Sequence, residues 1–232
     1  MTTLLAMHGW AGDCRGWAAF GAGAAARGWT FSSPNRGYGA LPPQQPVWPD
    51  AAGRRVLLAH SLGPHLLADA VLAAADAVVL LASFGRFVPE GSAGRRLSTA
   101  LAGMASALDG TPQQAEAMLE EFLTRSCAPQ PLAALPCSIL DRPLPHAGQT
   151  RLRNDLRRLA ASTDLPAAMP RHVPCLIVEA GEDRIVAREA STMLRQALPQ
   201  ADRLVLGGAG HALLVSPVVP MVMGWIEALE VA

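Results

Sequence analysis

The amino-acid sequence predicts an α/β chain: a mostly parallel sheet of about six strands with helices on both faces. Three observations carry that expectation. Apolar runs of strand length alternate with Ala-rich segments of helical length, the pattern that helix-covered parallel sheets require. Half of the 232 residues are hydrophobic and only 16% are charged, which suits a sheet buried on both faces. A single interval, 86–165, breaks the alternation and is far too long for a structureless loop in a compact chain.

In chain order the strands are expected at 3–8 (TLLAMH), 30–34 (TFSSP), 55–60 (RVLLAH), 77–83 (AVVLLAS), 175–181 (CLIVEAG) and 203–208 (RLVLGG). Residues 15–27, 62–75, 187–198 and 217–230 read as helices, and ALPPQQPVWPD at 40–50 as a surface loop. Within 86–165, TPQQAEAMLEEFLTRSC opens on Thr111, an N-cap candidate, and continues with helical periodicity. A Pro-rich stretch follows as a turn, and RLRNDLRRLAA (151–161) reads as an arginine-rich helix. The expected organisation is a core of 1–85 and 166–232 carrying a helical cap, or lid, at 86–165.

Composition narrows the function classes. Formal charge is zero and no run of like charge appears, so nucleic acid is a poor partner. All the basic residues are Arg, whose planar forks suit carboxylates and phosphates. Cys14, Cys127, Cys137 and Cys175 follow neither a metal-ligand nor a disulfide-framework spacing, which fits a reducing compartment. The N-terminus lacks the basic segment and long apolar run of a signal peptide, and no stretch is long enough to span a bilayer. The expectation is a cytoplasmic, monomeric protein with no membrane partner.

The stretch that carries chemistry is VLLAHSLGPHL (56–66). Ala59-His60-Ser61-Leu62-Gly63 places a serine between a strand and a helix in a small-x-Ser-x-Gly pattern, the signature of a nucleophile elbow. Small neighbours are needed because the serine backbone is strained and pressed against adjacent chain. Ala59 stands where Gly is usual, and Pro64 falls in the first helical turn, where a missing N–H is tolerated. A serine hydroxyl needs a base and a group that orients the base. His211 in GGAGHALL and Asp183 in EAGEDRIV supply them in the order Ser, acid, His, each past the carboxyl end of a strand. Glu182 is the rival acid. The expected oxyanion donors are the backbone N–H groups of Trp10, after the first strand, and Leu62. His8 and His60 read as loop-holding residues, and His65, His146 and His172 show no metal-ligand pattern.

His8-Gly9-Trp10, the elbow at Ser61, Asp183 and His211 together resemble the α/β-hydrolase superfamily over essentially the whole chain. SPNRGYG (33–39) is similar to that family's Arg-Gly-x-Gly loop, and 86–165 occupies its usual cap position. The resemblance implies a chain that opens at the family's third strand. Within the superfamily, HGWAGDCRGW and LRNDLRRLAASTDL look most like the biotin-pathway carboxylesterases that cleave the methyl ester of pimeloyl-acyl carrier protein. That implies a serine carboxylesterase without metal or cofactor, acting on a small ester or a carrier-bound acyl chain. It also implies that Arg151, Arg153, Arg157 and Arg158 grip an acyl carrier protein; the alternative is a solvated face pairing with Asp155. Trp10, Phe84 and Phe87, with Trp17, are the aromatic candidates for the acyl channel. Lyases and acyltransferases share the same triad, so they stay open, as does a non-catalytic binder. Dehalogenases and epoxide hydrolases carry Asp where this chain has Ser61.

Overall fold

A computed structural model describes residues 1–215 and 217–231. Six strands, all parallel, form one sheet in the order β2-β1-β3-β4-β5-β6. They are β1 (Thr2–Met7), β2 (Thr30–Ser32), β3 (Arg54–His60), β4 (Ala77–Leu81), β5 (Cys175–Ala180) and β6 (Asp202–Leu206). β1 and β4 are buried along their whole length, β4 as an unbroken apolar run and β1 as an apolar run behind Thr2 and Thr3. Alternate residues feed two cores. Leu5, Met7, Leu57, Ala59, Val78 and Leu80 face one side, and Leu4, Ala6, Val56, Leu58, Val79 and Leu81 the other.

The helices are α1 (Ala18–Ala25), α2 (Asp69–Ala73), α3 (Gly91–Asp109), α4 (Pro112–Cys127), α5 (His146–Ala161), α6 (Arg188–Ala197) and α7 (Val218–Val231). α1 and α7 cover one face of the sheet. The interval between β4 and β5 holds α3, α4 and α5. The expected Thr111 cap is present as a full box: its hydroxyl accepts from the Gln114 N–H at 3.3 Å, and the Gln114 side chain accepts from the Thr111 N–H at 2.8 Å. α5 begins before the expected 151, because Pro145 caps it and Gly148 lets the backbone close on Tyr38. No helix among the described residues is long and apolar enough to cross a membrane.

One helix departs from expectation. Instead of a continuous helix over 62–75 there is a single 3-10 turn, Gly63–Leu66, an extended link at Leu67 and Ala68, and the short α2. In a continuous α-helix the His65 carbonyl would accept from the Asp69 N–H; here it accepts from the Arg158 guanidinium of α5 at 2.8 Å. The His65 ring donates to the Phe84 carbonyl at 3.0 Å, which holds the turn against the end of β4.

Strand order fixes where a site can lie. β1 leads outward to β2, whereas β3 leads across to β4, so the chain reverses direction between the neighbours β1 and β3. Open α/β sheets bind ligands at the carboxyl ends beside such a reversal. His8-Gly9-Trp10 leaves β1 there and Ser61 leaves β3 there.

Candidate active site

Ser61 adopts φ of +55°, a conformation that costs a non-glycine residue roughly 1–3 kcal/mol. Among the described residues Ala11 and Ala82 are the other non-glycine residues with positive φ, and they follow β1 and β4. All three strained residues therefore lie at the same sheet edge. The elbow is braced by the Ser61 N–H donating to the Leu81 carbonyl at 2.9 Å. It is also close-packed: a Cβ at Gly9 would sit 2.7 Å from the Ser61 Cβ, and one at Gly63 would sit 2.6 Å from the Met7 carbonyl oxygen. The Ala59 methyl clears Gly63, so the departure from Gly at 59 is accommodated.

The structure brings Ser61, His211 and Asp183 into one hydrogen-bonded row. His211 Nε2 lies 3.0 Å from Ser61 Oγ, and Nδ1 lies 2.9 Å from Asp183 Oδ2. Ser61 and His211 are buried, at 5% and 3% exposure. The carboxylate facing Nδ1 places the proton there, which leaves the Nε2 lone pair for the serine hydroxyl. Burial works to raise the Asp183 carboxyl, but the His211 charge and hydrogen bond, with the Val186 and Ile185 N–H groups at 2.9 and 2.8 Å, outweigh it and hold the pKa below normal. Asp183 therefore stays ionised. Glu182, the rival acid, is exposed.

The supporting histidines are neutral. His60 is half-buried, and the protein packed around its ring strips it of water and pushes its pKa down to about 3; its Nε2–H donates to the His211 carbonyl at 2.9 Å. Burial also lowers His8; its Nε2 accepts from the Arg36 N–H at 3.0 Å and its Nδ1–H donates to the Gly9 carbonyl at 2.9 Å. The backbone N–H groups of Trp10 and Leu62 have no backbone or side-chain partner among the described residues. Gly9 touches Ser61, and Leu62 follows it directly. Both amides are thus next to the nucleophile and unspent.

Two cavities meet at an edge-to-face pair, Trp10 and Phe122, whose ring centroids are 4.8 Å apart. One, of about 380 Å³, is lined mainly by apolar side chains at helical spacing: Leu97, Leu101 and Met104 of α3, Met118 and Phe122 of α4, Leu156 and Leu159 of α5. The other, of about 80 Å³, is lined by His211, His60 and His8. Ser61 itself lines neither.

Of the aromatic candidates for the acyl channel, Phe87 and Trp10 line the larger of these two cavities, whereas Phe84 does not. Phe84 is fully buried, stacked on His65 at 5.3 Å and packed against Phe87, so it fills the interior. Trp17 is likewise filler: the turn after Asp13 carries it to the opposite core, edge-on to Phe20. Three of the four arginines expected to hold a carrier are engaged within the chain. Arg151 donates to the Gly37 carbonyl at 3.1 Å, Arg153 pairs with Asp109, and Arg158 takes the His65 carbonyl. Arg157 is exposed, with no partner among the described residues. Asp155 pairs with none of them; it faces inward to Arg36 and Tyr38. The sequence reading missed the α3 and α4 cavity residues, although their three- and four-residue spacing was the available signal.

Among the described residues no cluster of His, Cys, Asp and Glu is placed to hold a metal. The four cysteines are free thiols.

Solved structures decide the fold. An esterase from Exiguobacterium antarcticum matches with a TM-score of 0.71 at 15% identity, covering 99% of this chain and 90% of that one. The chain has the α/β-hydrolase fold. An enol-lactonase from Burkholderia xenovorans LB400 matches with a TM-score of 0.69 at 17% identity, covering 99% and 91%. A thermophilic esterase from Thermogutta terrifontis matches with 0.68 at 19%, covering 98% and 90%. No protein-family model and no curated protein sequence matches the chain.

Proposed function

We propose that this α/β-hydrolase-fold protein is a serine carboxylesterase. The observation that carries the reading is the position of His211, within hydrogen-bond reach of both Ser61 and Asp183. In the proposed reaction Ser61 Oγ attacks the ester carbonyl while His211 Nε2 takes its proton. Asp183 stabilises the imidazolium without accepting the proton. The developing oxyanion is held by the Trp10 and Leu62 N–H groups, each such donor being worth roughly 3 to 4 kcal/mol of barrier. His211 then protonates the leaving alcohol, and water releases the acid by the same route.

Proton delivery assigns the two cavities. The leaving oxygen must lie beside His211, so the alcohol occupies the cavity of about 80 Å³ and the acyl chain the one of about 380 Å³. A long apolar acyl group joined to a small alcohol fits that division. The methyl ester of pimeloyl-acyl carrier protein, the substrate implied by the resemblance of HGWAGDCRGW and LRNDLRRLAASTDL, has that form. With it come a role in biotin synthesis, a cytoplasmic site of action and docking of an acyl carrier protein. On this reading residues 86–165 are the cap, and Arg157, which has no partner among the described residues, is a cation open to the carrier, with Arg125 and Arg184 lining the cavity. Every residue invoked comes from one chain, so a monomer suffices.

The test is cleavage of methyl pimeloyl-acyl carrier protein alongside p-nitrophenyl esters, with growth rescue of a biotin-requiring strain that lacks its esterase. Cleavage of both supports the full reading. Cleavage of simple esters alone leaves a general carboxylesterase, and cleavage of neither removes the esterase reading.

A further inference from the structure

Asp155 is a buried carboxylate that the proposed reaction does not use. It lies on α5 at 1% exposure and accepts three hydrogen bonds: Arg36 Nε at 2.7 Å and Tyr38 OH at 2.8 Å on Oδ2, and Arg36 Nη2 at 2.8 Å on Oδ1. The two-pronged Arg36 contact fixes the plane of the guanidinium as well as its position. Arg36 is in turn tied through its own backbone, whose N–H donates to His8 Nε2. A donor at Nε2 forces the His8 proton onto Nδ1, where it meets the Gly9 carbonyl.

The Gly9 carbonyl and the Trp10 N–H belong to the same peptide unit. That unit is planar and trans, so its C=O and N–H point in opposite directions. Gripping the oxygen therefore aims the N–H. Trp10 is held at its other end too: its indole Nε1–H donates to the Leu152 carbonyl at 2.8 Å, about one turn before Asp155 on the same helix. The result is a closed ring running from α5 through Asp155, Arg36, His8, the Gly9–Trp10 peptide and the Trp10 ring back to α5. Rotating the peptide breaks at least one buried bond of this ring.

We propose that Asp155 is a positioning residue for the oxyanion hole, acting through Arg36 and His8, so that seating α5 on the core sets the direction of the Trp10 N–H. This rests on the esterase reading, in which that N–H is a donor to the reacting oxygen. A simple staple between α5 and the core would instead affect stability alone.

The experiment compares wild type, Asp155→Asn and Arg36→Lys. Asn keeps the shape of Asp but not the charged fork; Lys keeps the charge but not the fork. Each is titrated with a fluorophosphonate to count competent Ser61, melted to count folded protein, and assayed for kcat and KM on a p-nitrophenyl ester. Each is also assayed for Ki of a trifluoromethyl ketone with the same acyl chain, whose tetrahedral adduct puts an oxyanion in the hole. The expected result is a kcat lowered roughly 10- to 100-fold per competent site, less than deleting a donor outright, with KM changed less than about threefold. The ketone Ki rises by a similar factor. His8→Asn, whose amide nitrogen stands where Nδ1 does, keeps more activity than His8→Ala. Wild-type kcat and Ki per competent site in both Asp155→Asn and Arg36→Lys overturn the proposal, whatever the melting temperatures. A fall in kcat with an unchanged ketone Ki overturns it as well. Absence of fluorophosphonate labelling at Ser61 in the wild type overturns the esterase reading first, and this inference with it.

Discussion

At the scale of single residues, the site is a set of groups whose protonation is decided by neighbours. Asp183 keeps its charge because His211 and two backbone N–H groups outweigh burial, and His60 stays neutral because loss of hydration around its half-buried ring puts its pKa at about 3. The esterase account assigns the proton transfer to His211, so His211→Ala and Ser61→Ala each lower kcat by about ten-thousand- to million-fold, and Asp183→Asn by about ten-thousand-fold, in p-nitrophenyl ester assays. Histidines held neutral by the fold also set acid stability. A histidine whose folded pKa lies below its unfolded value binds fewer protons when folded, so stability present above about pH 6.5 is lost as pH falls toward 3. His60 contributes on the order of 1 kcal/mol per pH unit at most across that window. His60→Gln keeps an N–H donor for the His211 carbonyl but removes the titration; urea unfolding between pH 4 and 7 is therefore expected to show a shallower loss of stability than wild type. An unchanged slope contradicts the assignment. Asp183, with its lowered pKa, acts in the same direction below about pH 4.

At the scale of elements, the strands were legible because both faces of a parallel sheet are buried, which leaves uninterrupted apolar runs such as LLAM and AVVLL. α4 was legible because Thr111 marks its start and helical periodicity follows; the Gln114 half of the cap emerged in the fold. Thr111→Ala is expected to cost about 1 kcal/mol in chemical denaturation while leaving kcat unchanged, since the box lies at the exposed end of α4, away from the row of Ser61, His211 and Asp183. The helix after the elbow was not legible. Its interruption depends on Arg158, distant in sequence, taking the His65 carbonyl, and no local propensity encodes that bond. The elbow is the opposite case, since its spacing is local. Gly63→Ala would press a methyl into the Met7 carbonyl of the neighbouring strand, so the variant is expected to lose several kcal/mol of stability or to move Ser61 out of line with His211.

At the scale of the whole molecule, strand order places the ends of β1 and β3 side by side, and the loops after β5 and β6 deliver Asp183 and His211 to the same edge. The positions of Ser61, His211 and Asp183 could be read because each follows a strand end. Of the cavity only the helical spacing of its lining residues could be read, because the faces of α3, α4 and α5 meet around it only in the folded chain. Phe84 and the α5 arginines show the same limit: an aromatic or cationic residue near a site is legible, but which way it faces is not. The division into a large and a small cavity predicts that methyl esters are cleaved with higher kcat/KM than butyl or benzyl esters of the same long-chain acid. A preference for the bulkier alcohols contradicts the cavity assignment. The proposed esterase mechanism itself is tested most directly by intact-mass analysis after fluorophosphonate treatment of wild type, Ser61→Ala and His211→Ala. The account predicts a single adduct on Ser61 in the wild type and none in either variant. An adduct of equal yield in Ser61→Ala, or an unmodified wild type, would contradict it.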